Sequence, residues 1–439
     1  MFAQDQKLNA MQRGNSASTN DHAPSTGQIL SANQLVYKLP SSLAVAESRT
    51  TLQFYSVTDT ARNGQTSIIP VETGSAYVCP KHSFLSFSFY ADCDDREDAD
   101  GTEIDKPSYF TDTKRAGHAS LIQSIILVSR TGVELSRLDN ANLFISRYLF
   151  WSRNSDYSEL VSRGMGGYDG GADTFELEDG VTYGCSIPLW LFAGIWSADV
   201  LIPAHVLSGA RFHIVWERPE TALQWESEPY GNEFFRCSDI CLNLDAYLLG
   251  ETADMELQRI SAKSGLELTH IQVASISEGN VRSQNFEQHI QKSCSRANMV
   301  FSVVRDEALL FSKTDNSFDS SLRLDGTTGA IEDFQFRLGS TWFPHQKLEK
   351  KQNPQKFWLY NCMNFGTLGT TRPTDGKNEV ISSTLERSSV LKHSGQSTNN
   401  SRSLSVNITF DSSSQRNITS FLMHTAVIRS NLHHVSLSI

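Results

Sequence analysis

From about residue 31 onward the chain alternates between apolar and polar positions. In Ser83-Phe84-Leu85-Ser86-Phe87-Ser88-Phe89, the side chains of Leu85, Phe87 and Phe89 fall on one side of an extended chain, Ser86 and Ser88 on the other. Phe212, Ile214 and Trp216 alternate with Arg211, His213 and Glu217. Ile240, Leu242, Leu244, Ala246 and Leu248 alternate with Cys241, Asn243, Asp245 and Tyr247. A period of two with one apolar face predicts half-buried strands laid against a second sheet. The same pattern predicts strands at 121–129, 268–276, 299–304, 334–338, 404–410 and 418–428. Helical patterns are few and short. Asn353-Pro354 reads as an N-cap followed by proline at the first helical position, opening a helix to about residue 365. Residues 138–148 and 253–260 carry weaker helical patterns. The class is all-β with long loops and a few short helices.

The order of elements repeats. The strand at 121–129 precedes a turn and the helical stretch 138–148; the strand at 334–338 precedes Gly339-Ser340, a proline turn and the helix at Pro354. The first half closes with strands at 210–217 and 238–248, the second with strands at 404–410 and 418–429. An offset of roughly 180–210 residues, far longer than a solenoid repeat, predicts two tandem copies of one β unit. The expected boundaries are a mobile arm at 1–30, a first unit at 31–252, a linker at 253–265 and a second unit at 266–439. The arm is rich in Asn, Gln, Ser and Thr, and only Lys7 and Arg13 are basic there, so it is not an Arg-rich genome-neutralising tail. Periodicity alone leaves sandwich and jelly roll both open for the two units.

Composition narrows the function. The 439 residues suit two or three domains. The 39% hydrophobic and 20% charged fractions leave an unusually large share of uncharged polar residues, as in a loop-rich β protein. With 49 acidic against 38 basic residues the net charge is −11, which argues against gripping nucleic-acid phosphates over a broad surface. No apolar run reaches the roughly 18 residues of a membrane-spanning helix, and the N-terminus has no apolar segment typical of a secretion signal. The seven scattered cysteines, an odd number, point to reduced thiols and synthesis inside a cell rather than to a disulfide framework.

Chemistry-bearing motifs are absent or broken. The acidic loop at 92–105 fails the calcium-loop spacing: anchored on Gly101, its first ligand position is Arg96 and its twelfth is Pro107, so it reads as a solvated loop. The cluster Gly164-Met165-Gly166-Gly167-Tyr168-Asp169-Gly170-Gly171 meets neither phosphate-loop nor dinucleotide fingerprint. Cys237 and Cys241, four apart in one strand, are expected on the same face as small strand residues, with no partner pair for zinc. His433-His434 belong to no metalloprotease motif, and no nucleophile elbow occurs. The sequons at Asn399, Asn407 and Asn417 read as chance. The seven tryptophans sit within apolar alternation and are expected in cores or subunit contacts. No catalytic, cofactor-binding or metal-binding residue is assigned, and no enzyme activity is expected.

One stretch is more specific. Cys185-Ser186-Ile187-Pro188-Leu189-Trp190-Leu191-Phe192-Ala193-Gly194 leads through Leu201-Ile202-Pro203-Ala204-His205-Val206-Leu207-Ser208-Gly209 into the strand at 210–217. Phe334-Gln335-Phe336-Arg337-Leu338-Gly339-Ser340-Thr341-Trp342-Phe343-Pro344 follows in the second half, and 121–142, with Gly132 and Asp139-Asn140, in the first. In their order along the chain they resemble segments of the double jelly-roll major capsid proteins of polinton-like viruses, virophages and related icosahedral DNA viruses. The resemblance covers about half the chain and implies two tandem eight-stranded jelly rolls. It implies a structural role: homotrimers forming pseudo-hexameric capsomers that tile a virion shell with neighbouring capsomers, penton and minor capsid or cement proteins. Contact with an internal membrane would fit the acidic balance; sequence-specific nucleic-acid binding would not. The competing expectation is a carbohydrate-binding or carbohydrate-active β-sandwich with aromatic sugar platforms.

Overall fold

The computed structural model describes residues 46–93, 109–112, 117–152, 174–177, 181–225, 233–312, 318–321, 331–349, 354–366, 379–388, 393–399, 403–430 and 435–439. Eight strands build the first half: β1 (Ala46–Tyr55), β2 (Thr66–Val71), β3 (Tyr77–Cys93), β4 (Ile122–Val128), β5 (Glu134–Asp139), β6 (Tyr183–Pro188), β7 (Ala210–Trp216) and β8 (Glu233–Leu249). Eight more build the second. They are β9 (Leu266–Val281), β10 (Asn285–Ile290), β11 (Ala297–Asp306), β12 (Ile331–Leu338), β13 (Thr341–Glu349), β14 (Ile381–Thr384), β15 (Leu404–Phe410) and β16 (Arg416–Ser430).

The sheets run β1-β8-β3-β6 and β2-β7-β4-β5 in the first half, β9-β16-β11-β14 and β10-β15-β12-β13 in the second. All these neighbours are antiparallel. In each half the first strand lies beside the eighth, then the third and sixth, while the second lies beside the seventh, fourth and fifth. Two facing four-stranded sheets wired in this way make a jelly roll. The chain is a double jelly roll, and the repeat of element order is a repeat of topology. Short strands at Thr60–Arg62 and Val435–Ser438 extend the larger sheets, and Tyr109–Asp112, Thr174–Leu177 and Gln224–Trp225 form a small separate sheet.

Alternation explains the layering. Phe212, Ile214 and Trp216 of β7 are fully buried while Arg211 is exposed. Phe286, Gln288 and Ile290 of β10 point inward, with Glu287 and His289 outward. Each strand thereby gives one row to the space between its two sheets.

Three expectations need correction. The stretch 138–148 is not all helical: Leu138 and Asp139 finish β5, Asn140 takes a φ of 52°, and helix α1 runs Ala141–Ser152. The left-handed turn, which Asn tolerates better than most residues, ends the strand and starts the helix. The proline turn after Gly339-Ser340 is strand β13, with a cis Phe343–Pro344 bond. β13 lies at a sheet edge, where a missing N–H is tolerated. There the Gln335 side-chain amide donates to the Pro344 carbonyl at 2.8 Å. Cys237 and Cys241 do not share a face. The register of β8 against β3 shifts between Ser238 and Cys241, where Asp239 has a φ of 51°, so parity flips: Cys237 joins the core between the sheets, and Cys241, also buried, lies on the opposite face. The weak helical pattern at 253–260 is helix α2 (Glu251–Ser264), with Glu251 and Asp254 in its first turn and Lys263 in its last, favourable to its dipole. Gly265 stops it at a φ of 75°, its N–H bonding the Ser261 carbonyl at 3.1 Å.

Candidate functional site

The two rolls meet along an apolar seam. β11 is buried on both faces, so its side chains serve two cores: Met299, Phe301 and Val303 join the core of the first roll, Val300 and Val304 that of the second. α1 fills the space between. Its buried residues run all the way round, from Leu143, Phe144 and Ile145 to Leu149 and Trp151, which conceals the helical period in the sequence. Phe144 lies 5.9 Å from Phe301 and 5.6 Å from Phe421, and Phe301 stacks on Phe421 at 5.0 Å. Phe365 joins Phe301 at 5.6 Å to Trp151 at 6.1 Å. Large aromatics buried in this way stabilise by about 1.5–3 kcal/mol each.

Polar contacts fix the register of the seam. Gly194 bridges Ile271, and the Ser197 hydroxyl accepts the Ile271 N–H at 2.9 Å. Gln272 donates to the Leu135 carbonyl at 2.8 Å, His205 meets Ser430 at 3.0 Å, and Arg147 donates to the Phe318 carbonyl. Tyr77 ties the first roll to α2 through Asp254 at 3.1 Å. Asn142 donates to Glu217 at 2.9 Å. Burial pushes the Glu217 carboxyl up, opposed by hydrogen bonds from the Arg218 amide and Asn142 and by the charge of Arg305 across the seam. Burial also lowers Arg305 to about 10, against the pull of Glu217 and Glu307.

A mixed cluster lies on the outer side of the β1-β8-β3 sheet. Asp245 of β8 holds Arg49 of β1 at 2.8 Å and His82 of β3 at 3.2 Å, with Cys79 Sγ 3.8 Å from His82 Nδ1. Sequence reasoning passed over these residues. The signal was the Cys-x-x-His spacing in Cys79-Pro80-Lys81-His82, but Asp245 lies far away in the chain and only the sheet register brings it there.

The acidic loop beyond Cys93, the glycine cluster at 164–171, His433-His434 and the arm at 1–30 lie outside the described residues. Trp151, Trp196 and Trp216 are buried, and Trp190 and Trp358 pack against the same core. Trp342 lies under the Arg337 guanidinium at 5.3 Å. Asn407 and Asn417 are in β15 and β16, and Asn417 accepts from Arg305 at 3.1 Å; Asn399 accepts from the Ser293 hydroxyl. Burial raises the Cys185 and Cys237 thiols well above their ordinary value, so these cysteines behave as small apolar residues. Among the described residues, no helix is long and apolar enough to cross a membrane.

No protein-family model matches the chain, and no curated protein matches it. Solved structures do. The chain is similar to a subunit of the PBCV-1 virus capsid, with a TM-score of 0.63 over 92% of this chain and 99% of that one at 8% identity. It is similar to the Faustovirus major capsid protein, with a TM-score of 0.60 over 98% and 97% at 8% identity. A chain of the Sputnik virophage matches with a TM-score of 0.54 over 97% and 94% at 10% identity. The shared feature is the fold: the matched proteins are double jelly-roll capsid proteins, and the match runs nearly end to end in both directions.

Proposed function

We propose that this chain is a structural major capsid protein that trimerises into capsomers of pseudo-hexagonal outline and tiles an icosahedral virion shell. The observation that carries this reading is the doubled topology, two rolls of identical strand order fused through one seam. Three copies of a chain with two similar rolls present six similar units around a threefold axis, which fits six-coordinated positions of a lattice. The near full-length likeness to capsid subunits supports the same role. The work is done by buried area at subunit contacts rather than by bond chemistry.

Within this reading, residues 31–252 and 266–439 are the two rolls, joined at 253–265, and residues 1–30 are an arm that orders on docking with neighbours. The partners are the homotrimer, neighbouring capsomers, and penton and minor capsid or cement proteins. The protein resides in the virion after synthesis inside the host cell. A membrane beneath the shell is compatible with the net charge of −11. Tyr55, Val57, Met255, Leu359 and Met363, all exposed on the single chain, are available to subunit contacts. The carbohydrate reading loses its platforms, because most of the tryptophans are taken up by packing.

Electron microscopy of the purified protein under assembly conditions tests the proposal. Pseudo-hexagonal capsomers in arrays or closed shells are expected. Particles with no threefold outline and no lateral order would overturn it.

A further inference from the structure

β3 does not run evenly along β8. Cys79 pairs with Asp245 and Phe84 with Asn243, so three surplus residues of β3 are taken up between these pairs. Ser83 closes the resulting bow. Its hydroxyl donates to the Cys79 carbonyl at 2.7 Å and accepts from the Asp245 amide at 3.0 Å. In an even strand, residues three apart face opposite sides of the sheet. The bow instead returns His82 to the side of Cys79, over the carboxylate of Asp245.

We infer that Cys79, His82 and Asp245 form a binding site for a thiophilic divalent transition-metal ion of the zinc type, with solvent completing the coordination. Among the described residues their ligating atoms all lie within 4.8 Å of one another. The Cys79 Sγ to His82 Nδ1 distance is 3.8 Å and His82 Nδ1 to Asp245 Oδ2 is 3.2 Å. Tetrahedral zinc, with bonds of about 2.0–2.3 Å, spaces its ligands about 3.5 Å apart. These two distances bracket that spacing, so small rotamer changes close the site.

Two further features favour a metal over a self-contained polar cluster. The first is crowding at one atom. His82 Nδ1 has a single in-plane bonding direction, yet Asp245 Oδ2, Arg49 Nη2 at 3.3 Å and Cys79 Sγ all converge on it. A proton on Nδ1 serves the carboxylate and opposes the guanidinium; an unprotonated Nδ1 does the reverse. A metal on that lone pair satisfies the imidazole, the carboxylate and the sulfur together.

The second is charge and ligand type. A thiolate and a carboxylate carry two negative charges, matching a divalent cation, and metal binding releases the thiol proton. Sulfur with imidazole selects zinc or cobalt over calcium or magnesium, which take oxygen ligands. Arg49 need not leave. It grips both carboxylate oxygens, Nε on Oδ1 at 2.8 Å and Nη2 on Oδ2 at 3.2 Å, and so orients them. The second lone pair of Oδ2 is left for the metal, toward which the exposed His82 ring turns its Nδ1 away from Nη2. The bound ion would staple the bow of β3 to β8.

Titration of the chelator-treated full chain with Co²⁺ as probe tests this. One Co²⁺ per chain is expected, with a thiolate-to-metal charge-transfer band in the near ultraviolet that Zn²⁺ displaces. Cys79→Ser removes the band, and His82→Ala weakens binding at least about tenfold, the scale on which even outer partners of metal ligands act. Both side chains reach solvent, so neither change threatens the core. His289→Ala, an exposed histidine on β10, leaves binding unchanged. Absence of the charge-transfer band from the unaltered protein would overturn the inference. So would cobalt binding that persists undiminished in both Cys79→Ser and His82→Ala.

Discussion

Phe144, on the helix that follows the fifth strand of the first roll, packs edge-on against Phe421 in the last long strand of the second, centroids 5.6 Å apart at 60°. The contact joins rolls that lie far apart in sequence. It belongs to a core running from Phe87 and Trp216 on one side to Phe301 and Ile428 on the other without a break. Truncating Phe144→Ala should cost about 3–5 kcal/mol, as for other fully buried phenylalanines. The loss should appear in both rolls at once. Calorimetry should show one transition moved to lower temperature; two separated transitions would mean that the seam does not couple the rolls.

Gly194 makes a sharper probe of the seam. At a φ of 58°, a Cβ placed on it would lie 1.7 Å from Ser136 Oγ and 2.7 Å from Ser136 Cβ. Gly194→Ala should therefore destabilise by more than the about 1–2 kcal/mol of left-handed backbone strain alone. Gly64→Ala, at a φ of 71° with nothing within 4 Å, should show the strain and little else. Urea unfolding of the two variants compares them directly.

Acid should weaken the fold in a defined window. Burial lowers His118 to about 3 and His270 and His424 to about 4, with His393 facing His270, and Lys292 and His270 facing His424. The folded chain keeps these rings neutral while the unfolded chain protonates them near their ordinary value of about 6.5. The unfolded state thus binds more protons between about 6.5 and 4, and stability falls as pH falls through that range. Every tenfold difference in proton affinity between the two states corresponds to about 1.4 kcal/mol. Glu217, raised by burial above its ordinary value of 4.5, acts in the opposite sense from that value upward, inside the same window. His424→Gln should flatten the pH dependence of the urea midpoint; an unchanged slope would mean that His424 takes no part in it.

Residues 1–30 should be dispensable for folding and for the trimer yet needed for particles. A chain lacking them should sediment as the full protein does, while assembly, followed by light scattering, slows or stops. An unfolded truncated protein would contradict the assignment of that segment as an arm.

The sequence made the architecture legible where one face of a strand is buried and the other wet, as at Phe212, Ile214 and Trp216. It concealed β5, where Leu135 and Ser136 are buried side by side and break the alternation. It concealed β13 too, an edge strand that buries only Leu348 and contains Pro344. The expected shared face of Cys237 and Cys241 failed for a related reason: a bulge flips parity, and no periodicity reports it. The same kind of irregularity gathers Cys79, His82 and Asp245. Local pattern records which face a residue prefers. Register, set by pairing with distant strands, decides which residues meet.

Trimer formation is the central claim, and size-exclusion chromatography with multi-angle light scattering measures it most directly. A particle of three chain masses, stable on dilution, is expected. A monodisperse monomer with no tendency to assemble would contradict it.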